Sequence, residues 1–258
     1  MDPTIILFAV FLFLMLMNVP IALCLGVSSI VGIIVMGVPL SVVPMQVYAG
    51  IGKATLLAIP FFILAGVIMD RSGISKRLIN LADALVGHKT GGLAIVCVIV
   101  SCFFAAISGS GPATVAALGA VMIPAMIEAG YGTENSAALM SASGSIGIII
   151  PPSIPFVVYS GISGVSVSRI FMAGIVPGIL MGVALAVAAL IILKKNHQKV
   201  VQQKKASGAE RWAAFKDALW GLLMPVIILG GIYGGFFTPT EAAAVAAVYG
   251  LIVGLFVY

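Results

Sequence analysis

Charged side chains are scarce in this chain. Only 8% of its 258 residues are Asp, Glu, Lys or Arg, while 62% are hydrophobic. A soluble domain holds about 25% charged and about 45–50% apolar residues. The apolar surplus is too large for a water-soluble core, so the expected fold class is an all-α polytopic membrane protein. Histidine is rarer still: only His88 and His197, both in hydrophilic segments. An intramembrane serine hydrolase needs a base within hydrogen-bond reach of its nucleophile. Neither a histidine nor an intramembrane lysine accompanies Ser108 or Ser110, so no enzyme is expected. The three cysteines, Cys24, Cys97 and Cys102, fall in apolar runs at spacings that fit no metal or redox motif. They read as small packing residues, and no cofactor is implied. Carboxylates are missing from the interior, since Asp70, Asp83, Glu128 and Glu134 all sit at span ends. A cation held between the spans would therefore need neutral oxygens. The net charge of +5 comes from clustered basic residues, so it reports membrane topology rather than nucleic acid. The start, Met1-Asp2-Pro3, lacks a basic n-region, and no cleavable signal is evident.

Against these scarcities, one stretch orders the chain. Gly91 to Pro155 places two apolar half-spans around a Ser-Gly-Ser-Gly-Pro turn at Ser108 to Pro112, then a further helix that breaks at Pro151-Pro152. The first half-span, Gly92 to Ile107, is about 24 Å long and the second, Val115 to Ile127, about 20 Å. Neither crosses a hydrocarbon core of about 30 Å. Together they predict a re-entrant hairpin whose non-helical tip is buried in protein or lines a wet cavity. Helices interrupted near the midplane point to a transporter's binding site. The plainer alternative is a two-helix hairpin with a flexible kink.

Elsewhere the pattern is of spans and interfacial segments. Thr4 to Met36 reads as one tilted or kinked span, Pro39 to Lys53 as a short interfacial helix and Ala54 to Met69 as the next crossing. Ile74, Leu78, Ile79, Leu81, Ala82 and Leu85 recur at helical spacing, which predicts an amphipathic surface helix over 71–90. Thr133 is a candidate N-cap for the helix that runs to Ile150. Ser168 to Leu193 is a full span whose Gly174, Gly178 and Gly182 form a ridge for close packing. Lys194 to Asp217 is a hydrophilic loop holding Lys194, Lys195, Lys199, Lys204, Lys205, Arg211 and Lys216, with Trp212 and Trp220 as interfacial anchors. The positive-inside rule puts it in the cytoplasm. Counting back through a re-entrant hairpin puts Arg71, Lys76, Arg77 and Lys89 on the same side, and the N-terminus with them. Thr238-Pro239-Thr240-Glu241 starts the last helix.

The runs AISGSGPATVAALGAVMIPAMIEAGY, GIIIPPSIPFVVYSGISGVSVSRIFMAGIVPGIL and TPTEAAAVAAVYGL resemble the large membrane subunit of TRAP (tripartite ATP-independent periplasmic) transporters, over essentially the whole chain. That resemblance implies a sodium-driven, elevator-type secondary transporter for an organic acid, of dicarboxylate or sugar-acid type, in the bacterial inner membrane. It also implies two partners, a periplasmic substrate-binding protein and a small membrane subunit. The family is built from two inverted repeats, each with a hairpin and a broken helix. This chain has one of each, and the run from Thr238 resembles the start of a second repeat. It therefore reads as an N-terminal portion whose remaining repeat lies elsewhere. The implied division is scaffold spans and an arm helix over 1–70, the surface helix over 71–90, a transport region over 91–163, a span over 164–193, the basic loop over 194–217 and the second repeat from 218. A sodium-coupled anion carrier of another family and a non-transporting membrane scaffold, or a channel, remain the alternatives.

The resemblance places a sodium site between the hairpin tip and the unwound stretch, with Ser108, Gly109, Gly147, Ile150 and Pro152 around it. The end of the first half-helix adds unpaired carbonyls and the negative pole of its dipole. An organic-acid carboxylate needs the opposite pole. Ser110, Gly111 and Pro112 open the second half-helix, whose free N–H groups, with Thr114, favour an anion. Ser153 opens the piece after the Pro-Pro break in the same way. For Thr114 and Ser153 a purely local capping role stays equally open. Arg169 reads as an interfacial side chain rather than a carboxylate partner.

Overall fold

The computed structural model describes residues 2–195 and 205–258, which form twelve α-helices and no strand. The chain divides into two compact units, Met1–Lys53 and Ala54–Tyr258.

The first unit differs from its expected form. The apolar run from Thr4 to Met36 is two helices, α1 (Pro3–Leu16) and α2 (Ile21–Val35). Asp2 caps α1, its carboxylate accepting from the Thr4 N–H at 2.9 Å, and Pro3 occupies the first turn. The break has a local cause. Asn18 takes a left-handed conformation, φ 60°, and Pro20 cannot donate to a continuing helix. Gly32, near the end of α2, lies against Leu7, near the start of α1, so the two run antiparallel. At about 21–23 Å each, both are shorter than a hydrocarbon core. The count that put the N-terminus in the cytoplasm assumed a single crossing here and loses that premise. α3 (Val42–Ile51) buries no residue, as suits an interfacial helix.

In the second unit, one 3₁₀ turn leads into α4 (Ala58–Arg71), which packs along α12 (Pro239–Phe256). Thr240 donates to the Ala54 carbonyl, Gly250 meets Ile68 and Gly254 meets Ser72, so the pair runs parallel. Buried Ala242, Ala243, Ala246 and Ala247 allow the close approach. The expected amphipathic helix is α5 (Ile74–Ala82). Its apolar face is buried against α11 (Gly208–Tyr233), where Gly221 makes room for Ile74. One π turn over Asp83–Gly87 shifts the phase, so Leu85 is exposed instead of continuing the stripe. Arg77 ties the same elements together. Its Nε stands 3.1 Å from the Asp217 carboxylate and its guanidinium 3.6 Å over the Tyr258 ring.

The basic loop is shorter than expected. α10 runs from Val167 to Lys195, and α11 begins at Gly208, so the last ten residues of the stretch read as loop are helical. The missed signal was a capping box: the Glu210 carboxylate accepts from Ser207 N–H at 2.6 Å and Ser207 Oγ accepts from Glu210 N–H at 3.2 Å. Arg211, Trp212 and Lys216 are therefore helical. His197, Lys199 and Lys204 lie outside the described residues. Gly91 sits against Leu190 and Leu193, while Ile74 sits against Gly221. The segments carrying Arg77, Lys89, Lys195 and Arg211 thus gather at one end of the unit, as the positive-inside argument requires. Among the described residues, five helical segments are long and apolar enough to cross a membrane: Ala54–Arg71, Gly111–Glu128, Val167–Lys195, Gly208–Tyr233 and Pro239–Phe256.

Candidate functional site where a hairpin tip meets a broken helix

The second unit is organised around α6 (Gly92–Ser108), with thirteen of its seventeen residues buried. A helix apolar on every side belongs in the interior. It is joined to α7 (Gly111–Glu128), which starts a full turn earlier than the half-span expected from Val115. The chain enters and leaves this hairpin at the same end, because the Tyr131 hydroxyl, just past α7, accepts from the Ala94 N–H at 3.3 Å. The tip stands against Gly66, an interior position of α4, where an added Cβ would lie 3.3 Å from Ser108.

The tip's backbone follows from its residues. Gly109 ends α6 in the left-handed region, φ 60°, and Ser110 caps α7, its Oγ accepting from Ala113 N–H at 3.4 Å. Pro112 falls in the first turn of α7, where its missing N–H costs nothing. The second broken element starts with α8 (Thr133–Gly144), whose cap position is Gly132 rather than the expected Thr133. One 3₁₀ turn over Ser145–Ile148 follows, then an irregular piece through the cis Pro151-Pro152 bond to α9 (Ile154–Ser163). The helix therefore unwinds at Ser145, five residues before the expected end at Ile150.

The tip docks on this break. Ile154 N–H donates to the Gly109 carbonyl at 3.0 Å. A Cβ at Gly109 would come 2.7 Å from the Pro152 carbonyl oxygen, so the approach and the positive φ both demand glycine. Gly111 rests against the Gly144 carbonyl, and Gly147 against Thr114 Oγ1 and the Ser110 carbonyl. Three oxygens form a triangle: Thr114 Oγ1 donates to the Ser110 carbonyl at 2.8 Å and lies 3.2 Å from Ser108 Oγ, which lies 3.4 Å from the same carbonyl. Among the described residues no cluster of His, Cys, Asp or Glu could hold a metal, so hard neutral oxygens are what this junction offers a cation.

The residues singled out from sequence are thus brought together, with two distinctions. Thr114, considered for the substrate, sits inside the oxygen triangle beside Ser108. Ile150 is held by packing, its side chain lying against Gly178 of α10, rather than at the tip. Ser153 is buried and doubly engaged, donating to the Ile148 carbonyl at 2.7 Å and accepting from Phe156 N–H at 3.4 Å. Gly174 lets α10 pass close to the break and Gly182 lets it pass close to α6 at Cys102, the packing role expected of the ridge.

Ser108 and Ser110 open onto a cavity of about 480 Å³ between α4 and the hairpin, lined also by Gly66, Phe104, Asp70 and Arg71. Arg71 was read as a topogenic surface charge. Ile63, Gly66, Val67 and Asp70 recur at i, i+3, i+4 and i+7, and that stripe was the available signal for a face turned toward the hairpin.

The chain matches the family model for the tripartite ATP-independent periplasmic transporter, DctM component, over residues 8–258. It is 47% identical over 258 residues to an isethionate TRAP transporter permease protein of Oleidesulfovibrio alaskensis, covering 100% of this chain and 40% of that one. It is 48% identical over 256 residues to a C4-dicarboxylate TRAP transporter large permease protein of Vibrio cholerae, covering 98% and 56%. It is 46% identical over 209 residues to the 2,3-diketo-L-gulonate TRAP transporter large permease protein of Escherichia coli, covering 81% and 49%. The chain spans about half the length of the curated relatives it matches.

Proposed function

Because the chain belongs to the DctM component family of tripartite ATP-independent periplasmic transporters, we propose that it forms the N-terminal part of a large permease subunit that takes up an organic acid with sodium by an elevator movement. The observation that carries this reading is the docking of the α6–α7 tip on the α8–α9 break. Two helix C-terminal ends, rich in carbonyls, and two N-termini, rich in N–H groups, converge there on an oxygen triangle. The carbonyl poles suit sodium, with Ser108, Gly109, Gly147, Ile150 and Pro152 as its surroundings and Thr114 as an added hydroxyl. The N-terminal poles at Ser110, Gly111, Pro112 and Ser153 suit a carboxylate.

Among the described residues the oxygen triangle itself includes no carboxylate, and Asp70 and Arg71 line the adjoining cavity together, so the coupling falls to the two ions themselves. A sodium ion seated among neutral oxygens keeps its full charge, and attraction in a poorly hydrated site is far stronger than in water. An anionic substrate in the adjoining 480 Å³ cavity neutralises that charge, so each ion raises the affinity for the other. The relatives are named for isethionate, C4-dicarboxylates and 2,3-diketo-L-gulonate, all small organic anions, which supports this substrate class. In this reading the missing repeat, the small membrane subunit and a periplasmic binding protein complete the transporter in the bacterial inner membrane. The test is uptake into liposomes by the complete large subunit, reconstituted with both partners. An imposed sodium gradient must drive saturable accumulation of succinate or isethionate, and Thr114→Val must raise the sodium concentration needed for half-maximal rate. Uptake indifferent to sodium would overturn the proposal.

A further inference from the structure

One arginine on the wall of the cavity beside the hairpin tip has nothing to hold. Arg71, in the last turn of α4, lines that cavity together with Ser108 and Ser110, and it has no hydrogen-bond, ion-pair or ring partner among the described residues. A guanidinium is a permanent cation with five N–H donors. Arg77, in the next helix, shows the contrast: it is held by Asp217, by the Tyr258 ring and by the Ser72 and Gly73 carbonyls. Asp70 lines the same cavity, but neighbours at i and i+1 do not face each other on a helix. Its carboxylate accepts instead from Ser75 Oγ at 3.4 Å. Arg71 also borders a cavity of about 390 Å³ between α4 and α12. The one hydroxyl there, on Ser72, is committed to the Met69 carbonyl at 2.9 Å. Only the first cavity joins the guanidinium to the hydroxyls of the hairpin tip.

That cavity has two ends. At Gly66, α4 stands against Ser108 of the tip, beside the α7 N-terminus that favours one carboxylate. Arg71 follows about 7.5 Å further along the helix axis. A short carbon chain, rather than a single headgroup, therefore separates the two points that attract anions. In the coupling described above, one sodium ion offsets one negative charge. A second charge in the same poorly hydrated space is costly without a counter-charge of its own. We propose that Arg71 supplies it: Arg71 receives the second acidic group of a dicarboxylate whose first group lies at the α7 N-terminus, and so selects dianions over monoanions. The planar fork of the guanidinium takes two oxygens of that group at once. The Asp70 carboxylate repels an acidic group placed elsewhere along the wall, which fixes the direction in which the ligand lies. The inference rests on the reading of this cavity as the substrate site.

The complete large subunit carrying this chain, purified with its small membrane subunit in detergent and sodium chloride, is titrated calorimetrically with succinate and with its monoamide, succinamate. The two share a skeleton and differ by one charge at about pH 7.5. Wild type binds succinate about tenfold or more tighter than succinamate. Arg71→Gln weakens succinate about tenfold or more and moves succinamate less than about twofold, which also shows that the variant is folded. Arg71→Lys, which keeps the charge without the paired fork, loses an intermediate amount for succinate alone, and it carries the test should Arg71→Gln fail to fold. Arg169→Gln, on α10 and lining neither cavity, alters neither titration. A general attraction for anions, or a role confined to the dipole of α4, would make Arg71→Gln weaken both acids equally or neither, and either result overturns the assignment of Arg71 while the substrate site stands. Absence of saturable, sodium-dependent binding of either acid to wild type would overturn the substrate site itself, and the role of Arg71 with it.

Discussion

Two helical hairpins in this chain look alike in sequence and differ in surroundings. α1–α2 and α6–α7 are each a pair of apolar helices joined across a left-handed residue, Asn18 in one and Gly109 in the other. α1 buries none of its residues, whereas α6 buries thirteen of seventeen. The turn at Asn18 is closed by its own hairpin's carbonyls, Asn18 N–H donating to Met15 and Val19 N–H to Leu14. The tip at Gly109 instead exchanges a hydrogen bond with a second broken helix at Ile154. An apolar helix pair and a left-handed residue at its turn therefore do not by themselves make a buried tip. A second interruption that can receive it does.

The sharpest way to break this contrast is to change the two left-handed residues. Gly109→Val forces a branched side chain into positive φ, at about 1–2 kcal/mol, and into the Pro152 carbonyl besides. Uptake by the reconstituted transporter should vanish. Asn18→Gly should change thermal stability by no more than about 0.5 kcal/mol and leave uptake intact. The next effect concerns the oxygen triangle. Ser108→Ala and Thr114→Val should each raise the half-saturating sodium concentration by about tenfold. Since the two hydroxyls are 3.2 Å apart, the double variant should cost less than the sum. Sodium titrations of uptake rate check both points, and strict additivity would separate the hydroxyls into independent roles.

Smaller again is the loss of a cap. Ser110→Ala should destabilise the protein by about 0.5–2 kcal/mol. It should also raise the KM for substrate if the α7 N-terminus faces the carboxylate, whereas a cap without a ligand would leave KM alone. The smallest effect is at the basic end. His88 has a folded-state pKa below its unfolded value, so the unfolded chain binds more protons as pH falls through about 6.5. Stability should decline on the acid side from about that pH, and His88→Gln should remove this component from melting curves taken between pH 7 and 5.

Much of this arrangement was legible in the residues. The Ser108–Pro112 turn and the Pro151-Pro152 stop are local chemistry, and local chemistry survives folding: Gly109, Ser110 and Ser153 adopt the cap conformations their types favour. The reversal at Asn18 was missed because Pro20 was read as a kink in one span, whereas the kink and the turn look the same until Gly32 is seen against Leu7. The early start of α11 was missed because charge was weighed above the Ser207–Glu210 capping box. The cavity lining at Gly66 and Arg71 depends on which neighbour faces α4, and a single helix's periodicity names a face without naming its partner.

The account stands or falls on the path of the α6–α7 hairpin across the membrane. In a cysteine-free background, Thr90→Cys and Gly130→Cys are introduced one at a time and exposed to a membrane-impermeant maleimide in right-side-out and in inverted vesicles. Both positions labelling from the same side is the predicted result. Labelling from opposite sides would contradict the account.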